Sequence, residues 1–362
     1  MTTEQDRLEL LGCTLSELSA WCQFHDIAKF RSKQIFQWLY QQQAKSFAEM
    51  KNLPKSLQQQ LSLQTAFFLP EIVKEQISQD GTTAKLLLKM ADGVLIEIVL
   101  MLYQREQSRN RQTVCISTQA GCAMGCKFCA TGLQGLERNL TAGEIVGQVL
   151  VADRWCRQRG YSGVSNVVYM GMGEPLANLS AVLKSIAILN EELGLRIGQR
   201  RLTVSTCGLV PQIRELAEQR LAIGLAVSLH GATDSVRSKL MPINRRYVID
   251  EVLAACDDYV AKTGRRISYE YALLQGINDD LAQAKALAGL LKGRLAHVNL
   301  IPVNYVAETG FLPSDHETMK QFAAVLTANR IETTIREKKG IDIDAACGQL
   351  RQKHLPHADE SV

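Results

Sequence analysis

The hydrophobic pattern changes its period twice along the chain. Up to about residue 60 the apolar positions recur at helical spacing, with Ile35, Phe36 and Leu39 on one face of the stretch from Phe30 to Tyr40. Thr14 precedes Glu17 by three residues, the spacing of a capping box, which predicts a helix start. Asn52-Leu53-Pro54 interrupts the pattern. Residues 84–90 and 94–102 then form two apolar runs around the turn dipeptide Asp92-Gly93, so a β-hairpin is expected. Residues 104–112 are polar and basic and read as a loop.

From Thr113 onward short β-rich runs alternate with helical ones. Strands are expected at 114–117, 165–170, 202–205, 223–228, 267–274, 297–301 and 331–335. Helices are expected between them at 141–158, 179–193, 211–218, 249–263, 281–291 and 316–328. Such alternation means parallel strands joined by crossover helices, an α/β protein. Six units suit a partial or open (β/α) barrel, with a doubly wound open sheet as the alternative. After about Leu350 the chain is polar and reads as a loose tail.

Composition narrows the function classes. Hydrophobic residues make up 46% of 362, enough for a large core. The net charge is only +4, so any nucleic-acid contact must rest on local basic clusters, found at 105–111, 196–201, 237–246 and 336–339. The plain alternative for each cluster is an ordinary solvated charged face. No apolar run reaches the ~20 residues of a membrane span, and the N-terminus lacks a basic-then-apolar leader. A cytoplasmic protein is expected. Its ten cysteines are then better read as thiols with metal or redox roles than as disulfides.

Three of those cysteines follow the first core strand as Cys122-Ala-Met-Gly-Cys126-Lys-Phe-Cys129. Three thiolates on one loop can hold a [4Fe-4S] cluster and leave its fourth iron open. The open iron can chelate the amino and carboxylate groups of S-adenosylmethionine (SAM), which is cleaved when it receives an electron. The spacing matches the radical SAM signature. A zinc knot is the competing reading, but zinc sites favour paired CxxC units or distant histidines. The strands that follow end in small and polar residues, as a (β/α) active rim requires. These are Gly171-Met-Gly173-Glu174-Pro, Ser205-Thr-Cys-Gly, Ser228-Leu229-His230 and Asn304. Taken singly, each has a plain alternative as a loop residue or helix cap.

Several ordered motifs are shared with a known family. Cys115-Ile-Ser-Thr-Gln-Ala-Gly-Cys122, Cys126-Lys-Phe-Cys129-Ala-Thr-Gly, Gly171-Met-Gly-Glu-Pro, Lys239-Leu-Met-Pro-Ile-Asn244, His297-Val-Asn-Leu-Ile-Pro and Asp342-Ile-Asp-Ala-Ala-Cys347-Gly-Gln-Leu350 resemble the RlmN/Cfr family of radical SAM RNA methyltransferases. The resemblance runs from about residue 30 to 350. It implies that Cys122, Cys126 and Cys129 bind one cluster per chain. It likewise implies that Gly173, Glu174, Ser205, Ser228, Leu229, His230 and Asn304 bind SAM. Cys347 would carry the methyl group, Cys115 would be its partner thiol, and Glu97 would accept a proton.

In the implied chemistry one SAM methylates Cys347. A second yields a radical that activates the methyl group for addition to adenine. Cys115 then releases the product as a Cys115–Cys347 disulfide. The implied substrate is adenosine C2 in 23S rRNA, with tRNA as a candidate second substrate. C8 methylation and a radical SAM enzyme acting on a non-RNA substrate are the alternatives. An electron donor such as flavodoxin or ferredoxin and a monomeric enzyme are expected. So is a partial (β/α)6 radical SAM barrel at 105–341, preceded by a helical accessory domain (1–62) and a β-hairpin extension (63–104). A C-terminal segment (342–362) carries Cys347. Without the motif context, Cys115 and Cys347 would read as ordinary buried cysteines.

Overall fold

The computed structural model describes residues 7–103, 111–304, 309–337, 339–345 and 348–350. The chain opens with β1 (Leu8–Glu9) and the helices α1 (Leu15–Phe24), α2 (Phe30–Tyr40) and α3 (Lys55–Gln64), closed by β2 (Thr65–Ala66), which pairs parallel with β1. The expected capping box starts α1: the Thr14 side chain accepts the Glu17 N–H, and the Glu17 carboxylate accepts the Thr14 N–H. This unit buries Leu18, Ile35, Phe36 and Tyr40.

Next come β3 (Glu71–Ile77), β4 (Thr83–Lys89), β5 (Leu95–Tyr103) and β6 (Arg111–Cys115). A small ribbon follows, β7 (Gln119–Gly121) and β8 (Leu136–Asn139), with the short helix α4 (Ala130–Gln134) between them. The alternating core runs α5 (Ala142–Gln158), β9 (Asn166–Tyr169), α6 (Leu179–Asn190), β10 (Leu202–Thr206), α7 (Val210–Glu218) and β11 (Gly224–Ser228). It continues through α8 (Asp234–Leu240), α9 (Ile249–Thr263), β12 (Ile267–Leu273), α10 (Leu281–Leu291), β13 (Ala296–Pro302), α11 (His316–Ala328) and β14 (Glu332–Ile335).

The main sheet has ten strands in the order β14-β13-β12-β11-β10-β9-β6-β5-β4-β3. From β6 to β14 the seven neighbours are parallel and follow chain order without reversal. A doubly wound sheet reverses its order at a switch point; this one winds in a single sense, as a partial (β/α)6 barrel with a seventh parallel strand at its edge does. Alternation along each strand shows which side is the lumen. Val167, Tyr169, Leu202 and Val204 are fully buried under helices, while Val168, Thr203 and Ser205 between them are only half-buried.

The expected hairpin is β4 and β5, but it is not a separate appendage. It joins β6 antiparallel and so extends the barrel sheet, and β3 adds a further strand. β3 was not legible because its Glu71, Lys74, Glu75 and Gln76 leave only three apolar residues on an exposed edge. α8, seven residues long, is too short to show a period of its own. Among the described residues no helix is long and apolar enough to cross a membrane.

Candidate active site

The cysteine loop is built by the β7–β8 ribbon at the C-terminal end of β6. Gly121 has φ +75, and a Cβ there would lie 2.0 Å from the Gly135 carbonyl oxygen, so only glycine lets the two arms close. The Cys122 N–H donates to that same carbonyl at 2.7 Å. The Lys127 N–H donates to the Leu240 carbonyl, which ties the loop to the end of α8. Cys122, Cys126 and Cys129 all line one cavity of about 180 Å³. Burial pushes the Cys122 thiol up to about 11 and that of Cys126 higher still, and neighbouring thiolate charge adds to both. Desolvated thiols crowded beside a further cysteine in this way are ionised together only when a cationic centre neutralises them. They form one wall of a cavity, which fits a multi-iron cluster.

The same cavity is lined by Gly173, Glu174, Ser205, Ser228 and His230. Gly173 has φ +99, and a Cβ would meet Gln119 at 2.5 Å. Glu174 is buried, and its two carboxylate oxygens accept the Leu176 N–H at 3.0 Å and the Cys207 N–H at 2.7 Å. Burial raises its carboxyl above the usual range, against those two bonds. Its first task is therefore to shape the loop. His230 sits at φ +53, with Nδ1 accepting the Ala272 N–H at 2.9 Å and its ring edge-on to Phe128. Burial drives its imidazole down to about 3, so the ring is neutral and its proton is on Nε2. The Leu229 side chain is fully buried and does not line the cavity; its N–H donates to the Glu270 carbonyl.

A second, larger cavity of about 440 Å³ adjoins the first and shares Cys129, Met170, Gly171, Ile301, Arg336 and Gly348 with it. Cys115, at the end of β6, lines it, as does Asn304. Cys347 lies outside the described residues. The nearest described residues on its two sides, Ala345 and Gly348, both line this cavity. The segment before Cys347 is held by the β3–β4 hairpin, where the Gln79 N–H donates to the Asp342 carboxylate at 2.8 Å. The segment after it is held by α4: the Gly348 carbonyl accepts the Ala130 N–H, and the Leu350 carbonyl accepts Thr131 Oγ1 at 2.5 Å.

Glu97 is buried on β5, with a carboxylate oxygen 3.2 Å from Lys85 Nζ. Its carbonyl accepts Ser117 Oγ at 2.8 Å, and that hydroxyl oxygen accepts the Met172 N–H. Glu97 is thus locked to the Gly-Met-Gly-Glu loop.

The structure corrects the basic clusters. Arg237 is fully buried and binds the Cys207 carbonyl at 2.6 Å and Asn244 Oδ1 at 2.6 Å, so it holds the rim loops together and cannot meet phosphate. Arg200 and Arg201 form the turn that enters β10 at its N-terminal end, opposite the rim. Arg336 and Lys339 do line the larger cavity, with Lys339 Nζ 4.2 Å over the Tyr103 ring. Arg105, Arg109 and Lys338 lie outside the described residues. Sequence reasoning missed Glu270, a buried carboxylate in the smaller cavity that accepts Asn299 Nδ2 and stands 3.9 Å from Arg336. It was hidden inside an apolar strand run.

A partial (β/α) barrel with a three-cysteine loop at its rim defines a radical SAM enzyme. The model of the Radical SAM superfamily matches residues 116–287. That of the Ribosomal RNA large subunit methyltransferase N-terminal domain matches residues 8–66. A probable dual-specificity RNA methyltransferase RlmN of Clostridium perfringens is 46% identical over 346 residues, 96% of this chain and 97% of its own. Its counterpart in Desulfitobacterium hafniense is 49% identical over 350 residues, with the same coverage. A radical SAM methyltransferase from Sphaerobacter thermophilus superposes with a TM-score of 0.91 at 46% identity, over 96% of this chain and all of the other. The chain belongs to the RlmN family of radical SAM RNA methyltransferases, a family whose chemistry implies a [4Fe-4S] cluster and SAM.

Proposed function

We propose that this chain methylates C2 of an adenosine in 23S rRNA, with tRNA as its second substrate. One observation carries the reading. Cys115, the cluster-loop residue Cys129 and both described neighbours of Cys347 line a single cavity. The names of the relatives, dual-specificity RNA methyltransferases, support the two RNA classes.

In this reading Cys122, Cys126 and Cys129 hold the cluster. Gly173, Glu174, Ser205, Ser228 and His230 would surround SAM in the smaller cavity, with Leu229 contributing through its backbone and Asn304 reaching it from the adjoining one. Bound there, the two supply a methyl group and one-electron, hydrogen-abstracting chemistry. The protein's own groups do the rest. Cys347 receives and carries the carbon that becomes bonded to the adenine ring. Glu97 accepts the proton the ring gives up. The Cys115 thiolate attacks the Cys347 sulfur and breaks its bond to that carbon, which takes up a proton. The pair is left as a Cys115–Cys347 disulfide for an external reductant. The target base has to leave its stack to enter the larger cavity.

The helical unit (1–62), the hairpin strands (63–104), the barrel (105–341) and the final segment (342–362) divide this work. A flavodoxin or ferredoxin supplies electrons, and the enzyme acts as a monomer in the cytoplasm. The test is nucleoside mass spectrometry of 23S rRNA and tRNA incubated with the reconstituted enzyme. 2-methyladenosine in both is the expected result; 8-methyladenosine, or no methylated adenosine, contradicts the proposal.

A further inference from the structure

Lys85 is a cation almost wholly removed from water: its side chain is 2% exposed, and that of Glu97 beside it is 4% exposed. Its ammonium meets the Glu97 carboxylate at 3.2 Å and the backbone carbonyl of Asp344 at 3.1 Å. Asp344 sits in the tight turn that leads to Cys347. That turn is closed by the Ala345 N–H donating to the Gly340 carbonyl at 2.8 Å. Gly340 fits there only as glycine, with φ +62 and a would-be Cβ 2.8 Å from Thr83 and 2.9 Å from Ala345. The register explains how one side chain reaches both places. Lys85 on β4 stands opposite Val99, which stands opposite Cys115 on β6, so Lys85, Val99 and Cys115 form one row across the sheet. Glu97 points to the same side, two residues from Val99 along β5.

We infer that Lys85 is a positioning residue that couples the proton acceptor to the methyl-carrier segment. The inference rests on the assignment of Glu97 and Cys347 above. A buried carboxylate needs a compensating charge beside it, and Glu97 can take up the adenine proton only from the orientation its partner gives it. Lys85 supplies the charge and uses the Asp344 carbonyl as the anchor that places Glu97 beside the turn before Cys347, a turn that the Gln79–Asp342 and Ala345–Gly340 hydrogen bonds hold without it. Loss of Lys85 therefore acts at the step in which the ring gives up its proton, after carbon transfer has joined Cys347 to the RNA.

The experiment compares Lys85→Met, Glu97→Gln and the double variant in reconstituted enzyme. It reads the covalent enzyme–RNA adduct on denaturing gels and the methylation of Cys347 by peptide mass spectrometry. Lys85→Met should accept a methyl group on Cys347 as the parent does. It should then accumulate adduct and resolve it roughly tenfold or more slowly. The double variant should resolve no more slowly than Glu97→Gln alone, because Lys85 acts through Glu97. Lys85→Arg, which keeps the charge, should recover most of the rate and serves as the readout if the Met variant does not fold. Parent-like resolution in Lys85→Met, multiplied effects in the double variant, or no recovery with Arg would overturn the role of Lys85 alone. Failure of Glu97→Gln to trap any adduct would overturn the Glu97 assignment, and Lys85 with it.

Discussion

The backbone N–H of Ala130 donates to the carbonyl of Gly348 at 2.8 Å. One residue directly follows the last cysteine of the cluster loop, and the other directly follows Cys347. The C-terminal segment is thereby stitched to the cluster loop by main-chain geometry, and Thr131 adds a second stitch through the Leu350 carbonyl. Thr131→Val removes that side-chain bond while keeping the shape. The expected outcome is a stability loss of about 1 kcal/mol and a several-fold drop in methylation, with the cluster absorbance unchanged. Thermal melts, turnover and the visible spectrum of the reconstituted enzyme check it.

His230 makes stability depend on pH. Its imidazole lies at about 3 in the folded chain, against 6.5 for the ordinary value. Between those limits the unfolded chain binds more protons than the native one, so stability falls as pH drops from about 6.5 toward 3 and is restored above. The cause is burial first and the Arg237 charge second. His230→Gln should flatten that acid-side slope by a few kcal/mol in total, as measured by urea unfolding across pH. An unchanged slope would show that His230 is already protonated in the folded chain.

Arg237 is a structural cation. Its guanidinium bridges the Cys207 carbonyl after β10, Asn244 Oδ1 and the Tyr247 carbonyl. Arg237→Ala leaves these acceptors buried without their donor and opens a void. The expected loss is about 3 kcal/mol or more, read as a lower unfolding midpoint.

RNA affinity should map to one end of the barrel. Lys339 lies at the larger cavity beside Tyr103, whereas Arg200 lies at the opposite end of the strands. Lys339→Ala should weaken RNA binding and lower the salt slope of log K by about one. Arg200→Ala should leave both as they are. Fluorescence anisotropy with an RNA stem-loop over a salt series reads the two variants side by side.

The sequence carried most of the barrel because periodicity and helix signals agreed. The helices at 249–263, 281–291 and 316–328 appear with those bounds, and every expected core strand appears within a few residues. The cysteine loop and the Gly-Met-Gly-Glu turn were legible because their chemistry needs fixed residue types at short spacing. What escaped depends on contacts far apart in the chain. Arg237 reads as one more member of a basic run because the Cys207 carbonyl it binds lies 30 residues back in the chain. Lys85 looks like any strand lysine until the fold brings it to Asp344, 259 residues away. The pattern also could not show that the hairpin joins the barrel sheet, because pairing between β5 and β6 leaves no local signature.

The methyl-carrying role of Cys347 is tested most directly before any RNA is present. Reconstituted enzyme incubated with SAM and reductant is digested, and the peptide containing Cys347 is weighed. The account predicts one methyl group on the Cys347 sulfur, which disappears from the protein and appears on adenosine once RNA is added. RNA methylation by an enzyme whose Cys347 never carries that group would contradict it.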